Sequence, residues 1–274
     1  MIYAKVIEDS INQQDNRLTT VEVCYPRFIH AEVMTHRVFS RNSASSRAIP
    51  VHKMLEQVAT DLAMPFEFGS AQKGMQAGPP LEGELLSIAQ QLWRDAASKA
   101  YQSASELVSI GVHKQVVNRI LEPFLWHKVI ISATEWDNFF TQRCSPLAQP
   151  EINVLACAIR DAMSKSTPLL TGCYYWHTPY LLSEERLLPL DVRLKVSAAR
   201  CARVSYLTHD GKRDIEKDLD LFDKLASAQP PHWSPMEHVA CPFGDGERNY
   251  RGWTQLRWFL EQSGLEGITG DKND

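Results

Sequence analysis

A long run of helical periodicity sets the architecture. Over residues 84–109 the apolar side chains Leu85, Ile88, Ala89, Leu92, Trp93, Ala96, Ala100, Leu107 and Val108 return at helical spacing, and Gly111 stands where such a helix would stop. A helix of this kind is scaffold, because its stripe has to be buried against other elements. Residues 17–24, Arg-Leu-Thr-Thr-Val-Glu-Val-Cys, alternate and are rich in β-branched side chains, which predicts a strand. Helix and strand together predict an α/β fold.

Further elements follow from local signals. Pro26 opens a helix that runs to about Val38 and carries His36 and Arg37 at its C-terminal end. Residues 64–83, with four glycines and three prolines, read as a long irregular excursion, in which Lys73 is most simply a solvated side chain. Residues 114–121 form a shorter helix before Pro123 and carry Asn118 and Arg119. Ser132-Ala133-Thr134-Glu135 has the form of a capping box and starts a helix over 132–143, with Trp136, Phe139, Phe140 and Arg143 on one face. The acidic run 214–223 is a charged helix with a solvent face, and residues 251–257 begin a mixed aromatic and basic helix.

Composition excludes several classes. With 274 residues, 44% of them hydrophobic, the chain can bury a core without covalent staples. A formal charge of −4 argues against a nucleic-acid coat or a membrane-surface protein. No stretch approaches the roughly 18 apolar residues of a membrane span, and the N-terminus lacks a leader pattern, so a cytoplasmic location is expected. Six cysteines, at 24, 144, 157, 173, 201 and 241, contain no Cys-x-x-Cys pair, so the spacing signals neither a zinc knuckle nor a redox dithiol. The histidines show no metal-ligand spacing. No glycine-rich dinucleotide motif, phosphate loop or nucleophile elbow is present.

The chemistry is concentrated in residues 35–47, Thr-His-Arg-Val-Phe-Ser-Arg-Asn-Ser-Ala-Ser-Ser-Arg. Three arginines and four serines with exposed backbone N–H groups suit a phosphorylated small molecule, since guanidinium donors fit phosphate bidentately. On composition alone, a solvated basic turn is the alternative.

The order of these residues resembles the signature of the flavin-dependent thymidylate synthases, the ThyX family. His36, Arg37, Ser40, Asn42, Ser45 and Arg47 match it, whereas Thr35 stands at an arginine position, Ser43 at a glutamate and Ser46 at a glycine. Downstream, Ala133, Asn138, Arg143, Ala148-Gln149 and Glu151-Ile152 are similar to a second family segment. There Ser132 and Thr134 replace an asparagine and an arginine that touch flavin, and Leu147 replaces a histidine. The blocks Ala202-Arg203-Val204-Ser205 and Ser234-Pro235-Met236-Glu237-His238 resemble segments that precede the signature in typical members. Here they follow it, which implies a circular permutation, with blocks spread over 199–238.

The resemblance implies a ThyX-like mixed sheet with long helices in one compact domain over 1–274. It also implies FAD as cofactor, with NADPH and methylenetetrahydrofolate as co-substrates, and a pyrimidine deoxynucleoside monophosphate as substrate, dUMP being converted to dTMP. The implied assembly is a homotetramer, with no membrane or nucleic-acid partner. By the same resemblance Arg143 is the catalytic residue that stabilises charge on the pyrimidine. The nucleotide contacts are Ser45, Ser46, Arg47, Arg119 and Glu32, the last at a glutamine position, and His36, Arg37, Asn42, Asn138, Ser205 and His238 line the flavin and folate side. Two further readings stay open: a viral-type branch that hydroxymethylates dUMP or dCMP, and a nucleotide-binding protein without flavin or catalysis.

Overall fold

The computed structural model describes residues 1–172, 175–204, 213–242 and 248–262. Strands β1 (Tyr3–Ile11), β2 (Arg17–Pro26), β3 (Ser40–Ser43), β4 (Trp126–Ala133) and β5 (Leu169–Leu170) form a mixed sheet in the order β3-β4-β2-β1-β5. All neighbours are antiparallel except β1 and β5. The β1–β2 turn is closed by Asn12, whose Oδ1 accepts from the Gln14 and Asn16 N–H groups at 3.0 and 2.9 Å, while Asp15 takes a left-handed φ of 62°. Gly252 lies against this turn with φ 67°, and a Cβ there would stand 2.5 Å from Asn16 Nδ2.

Both faces of the sheet are covered, so β2 and β4 are buried along most of their length. Val21, Val23, Tyr25, Val129, Ile131 and Ala133 face α5 (Asp137–Arg143) and α6 (Pro150–Ser164), meeting Trp136, Phe139, Ile152, Leu155 and Ile159. On the opposite face Ile130 packs against Cys201 and Val204 at the end of α7 (Leu190–Arg203). Beyond α7 lie α8 (Ile215–Ser227), α9 (Leu256–Gln262) and the short antiparallel pair β6 (Ala240–Cys241) and β7 (Thr254–Gln255).

A separate layer holds α2 (Val51–Thr60), α3 (Gly83–Ser109) and α4 (Lys114–Leu121). The long helix of the sequence is α3, and Gly111 closes it at φ 83° with its N–H donating to Val108 O. Its fully buried line is Ala97, Ala100 and Ala104, where small side chains allow close helix approach, whereas Leu85, Ile88 and Leu92 are exposed.

Several sequence expectations are corrected. The helix expected from Pro26 to Val38 is a 3-10 turn, Arg27–Ile29, followed by α1 (His30–Met34), so His36 and Arg37 lie beyond its end. The Arg41 guanidinium explains the stop: Nη1 donates to the carbonyls of Val33, Met34 and His36 at 3.3, 3.2 and 3.1 Å. The serine-rich segment is no simple loop, because Ser40–Ser43 pairs with Val129 to Ser132 as edge strand β3. Ser132 is not a helix cap. It sits inside β4 between strand partners Thr20 and Ser40, and the helix starts only at Asp137, after Trp136, with no side-chain cap. The acidic helix α8 is not merely solvated: Asp218 is buried and pairs with Arg200 at 2.8 Å and Arg203 at 2.7 Å. Within 251–257, Thr254–Gln255 is strand β7 and the helix begins at Leu256.

Candidate active site

Residues 35–47 turn from α1 into β3 and expose their side chains to two different cavities. The first, about 640 Å³, lies between the β1–β2 turn, residues 35–39 and the start of α5, and includes Thr35, His36, Arg37, Asn138, Trp136 and Arg251. The second, about 670 Å³, lies beyond β3 and is lined by Asn42, Ser43, Ser45, Arg47, His113, Gln115, His232 and Ser234. Ser46 faces neither: it is buried beside a third cavity of about 280 Å³ with Arg27, Lys53 and His127.

Arg143, in the last turn of α5, is tied to the 35–36 corner. Its Nε donates to His36 Nε2 at 3.0 Å and its Nη2 to Thr35 Oγ1 at 3.2 Å. The Thr35 hydroxyl in turn donates to Glu32 O at 2.6 Å, which leaves its lone pairs for the guanidinium. Burial, and then the neighbouring cations Arg143 and Arg41, push the His36 pKa down to about 4. The imidazole is therefore neutral at pH 7, and the bond from Arg143 requires its proton to be on Nδ1. Phe139 meets the ring edge-on at 4.8 Å between centroids, fixing its plane. Among the described residues Arg143 Nη1 has no hydrogen-bond partner.

The remaining residues singled out in the sequence divide by position. Arg37, Asn138 and Arg47 are exposed at the cavity walls, and Ser45 is half-buried. Glu32 has a buried Oε2 without a hydrogen-bond partner among the described residues. Asn42 is buried and donates to Cys201 O at 2.8 Å, which fastens β3 to the Ala-Arg-Val block on α7. Arg119 is exposed, lines none of the three cavities and is bound at 2.8 Å to Glu122 Oε1, on the wall of the third. Ser205, like Cys173, lies outside the described residues. His113, Gln115 and His232 line the second cavity without any motif to mark them, since α4 and the segment before Ser234 reach it only through packing.

His238 ends a buried polar chain that crosses the sheet face. Ser10 Oγ, His177, Thr20 Oγ1, Ser132 Oγ and His238 Nδ1 are joined by contacts of 2.9, 2.7, 2.5 and 2.8 Å. Burial lowers the pKa of His177, and that of His238 to about 3, so both rings are neutral. His238 Nε2 is buried with no partner among the described residues.

Residues 17–169, which include the 35–47 corner and Arg143, match the family described as Thy1, thymidylate synthase complementing protein. The chain belongs to this family. The ThyX match spans β2 to β5 and stops before the Ala-Arg-Val-Ser and Ser-Pro-Met-Glu-His blocks, yet Cys201 of α7, next to the first block, and His238, in the second, bond to Asn42 of β3 and Ser132 of β4. Among solved structures the chain is similar to the UMP/dUMP methylase PolB from Streptomyces cacaoi, determined with bound 5-Br UMP. The two share 13% identity with a TM-score of 0.48, over 62% of this chain and 90% of that one. No curated protein matches the sequence. No helix among the described residues is long and apolar enough to cross a membrane.

Proposed function

We propose that this ThyX family member transfers a one-carbon unit from methylenetetrahydrofolate to C5 of a pyrimidine deoxynucleoside monophosphate, dUMP foremost, with FAD as cofactor and NADPH as reductant. The observation that carries this reading is Arg143, oriented by two family-signature positions, Thr35 and His36, with one guanidinium nitrogen left unbonded among the described residues.

The donor set fits a flavin dinucleotide. Arg37, Asn138 and Arg251, the last paired with Glu135, offer donors for a diphosphate, while the buried Phe39, Trp136 and Phe139 form the apolar floor of the cavity. When bound, FAD would supply the redox and carbon-transfer chemistry. This chain's own residues would bind and polarise. Arg47, with Ser45 beside it in the second cavity, is free to receive the nucleotide phosphate, and Glu32, whose Oε2 is buried and unpartnered among the described residues though it lines none of the cavities, would face base or sugar. Arg143 would place a permanent positive charge at the pyrimidine edge, so that negative charge developing there raises the nucleophilicity of C5. No enzyme nucleophile is needed. The neutral His36 acts as the acceptor that holds the guanidinium in plane.

The same reading takes 1–274 as one permuted domain, supported by the Asn42–Cys201 and Ser132–His238 bonds across the rearranged blocks, and a homotetramer as the assembly. Flavin titration and mass spectrometry of the nucleotide test it. Saturable quenching of FAD fluorescence, followed by dUMP gaining one methyl group with methylenetetrahydrofolate and NADPH, is the expected result. A hydroxymethylated product would favour the modified-base reading, and nucleotide binding by a protein that takes up no FAD would replace catalysis with simple binding.

A further inference from the structure

The cysteines have no paired spacing in sequence, yet the packing of α5 on α6 brings two of them together. Cys144 closes α5, its N–H donating to Phe140 O at 2.8 Å. Asn153 of α6 brackets it, with Nδ2 donating to the carbonyls of both Arg143 and Ser145 at 3.0 Å. Cys157 follows Asn153 by one helical turn and so shares its face of α6. The Cys144 thiol stands beside the Cys157 thiol, whose sulfur helps to raise its pKa. Both are half-buried, whereas Cys24, Cys201 and Cys241 are buried. The Arg160 guanidinium, three residues beyond Cys157, interacts electrostatically with both sulfurs.

We propose that Cys144 and Cys157 are a redox-active dithiol that closes to a disulfide by exchange with low-molecular-weight disulfides of the glutathione class. The thiolate is the attacking species, and the Arg160 guanidinium, which also pairs with Asp161, stands beside both sulfurs. Burial, and then the neighbouring sulfur, hold the Cys144 thiol up at about 11; in the proposed order Cys157 attacks first. Its sulfur bonds to one sulfur of the glutathione disulfide, the S–S bond breaks, and one glutathione leaves as thiolate and takes up a proton. Cys144 then loses its proton and attacks Cys157 Sγ, releasing the second glutathione. The two protein thiols are oxidised by two electrons and the small disulfide is reduced to two thiols. Excess reduced glutathione runs the sequence backwards. The inference does not rest on the function proposed above.

The test uses the full-length protein equilibrated over a series of reduced to oxidised glutathione ratios, quenched in acid, alkylated and mapped by mass spectrometry. As the buffer becomes more oxidising, two alkylation sites should disappear together and the peptides carrying Cys144 and Cys157 should appear cross-linked, with both sites restored by reduced glutathione. In Cys144→Ser the reaction should stop at a stable glutathione adduct on Cys157. Single adducts without a cross-link at every ratio, or a cross-link that involves any other cysteine, Cys173 included, would overturn the proposal. The wild-type measurement decides the matter without requiring the variant to fold.

Discussion

Replacing Arg143 with lysine separates a catalytic guanidinium from a favourable helix end. In the native protein the guanidinium spans two acceptors at once, His36 Nε2 at 3.0 Å and Thr35 Oγ1 at 3.2 Å, and its Nη1 has no hydrogen-bond partner among the described residues. Lysine preserves the charge but has one nitrogen, so it cannot hold both acceptors and still present a planar edge. A hydrogen bond involving a charged group contributes about 1.5–3 kcal/mol, and the loss of one such contact in the transition state lowers the rate roughly ten- to a hundredfold. If Arg143 served only as a cation in the last turn of α5, its worth would be about 0.3–1 kcal/mol of stability, which lysine would retain. The assay is release of the C5 hydrogen from dUMP in a single turnover, with nucleotide affinity and thermal stability measured in parallel. We expect near-native stability, retained nucleotide binding and a kcat lowered within that range. A variant with native single-turnover rates would refute the reasoning.

Three further outcomes follow from the same geometry. The His36 pKa is depressed to about 4, so the unfolded chain binds the extra proton between its ordinary pKa near 6.5 and 4; stability should therefore fall as pH drops through that window. In urea unfolding, His36→Gln should lose part of that slope, and equal pH dependence in the variant and the native protein would contradict the assignment. Arg47→Ala should weaken nucleotide binding by about 1.5–3 kcal/mol in calorimetry, whereas Arg119→Ala, whose guanidinium is already occupied by Glu122, should change it little; the reverse order would exchange their roles. Asp218→Asn removes the shared carboxylate partner of Arg200 and Arg203 from a buried site and should cost about 3–5 kcal/mol in thermal or denaturant unfolding, a claim that fails if the melting curve is unmoved.

Periodicity along the chain was enough to place the elements whose side chains decide their own conformation. The alternation over 17–24 became β2, the long apolar run became α3 ending at Gly111, and residues 114–121 became α4. Those signals are local, since backbone geometry sets the 2.0 and 3.6 residue repeats regardless of neighbours. The order of residues in 35–47 was likewise legible as a family signature, because identity and spacing are properties of the chain itself.

Tertiary packing decided the rest wherever the partner of a side chain is distant in sequence. Ser132 carries a good capping pattern, yet strand partners on both sides draw it into β4, where its hydroxyl joins Thr20 and His238 instead of a helix terminus. Asp218 belongs to a charged run that looks solvated until α7 brings Arg200 and Arg203 over it. The split of 35–47 between two cavities depends on β3 pairing with β4, which leaves residues 35–39 before the strand at the first cavity and carries residues 41–43, Ser45 and Arg47 to the second. Cys144 and Cys157 meet because Asn153 fastens the end of α5 to α6. Arg143 finds His36 across 107 residues for the same physical reason: a local pattern fixes which face a side chain occupies on its own element, and only the packing of elements fixes what that face meets.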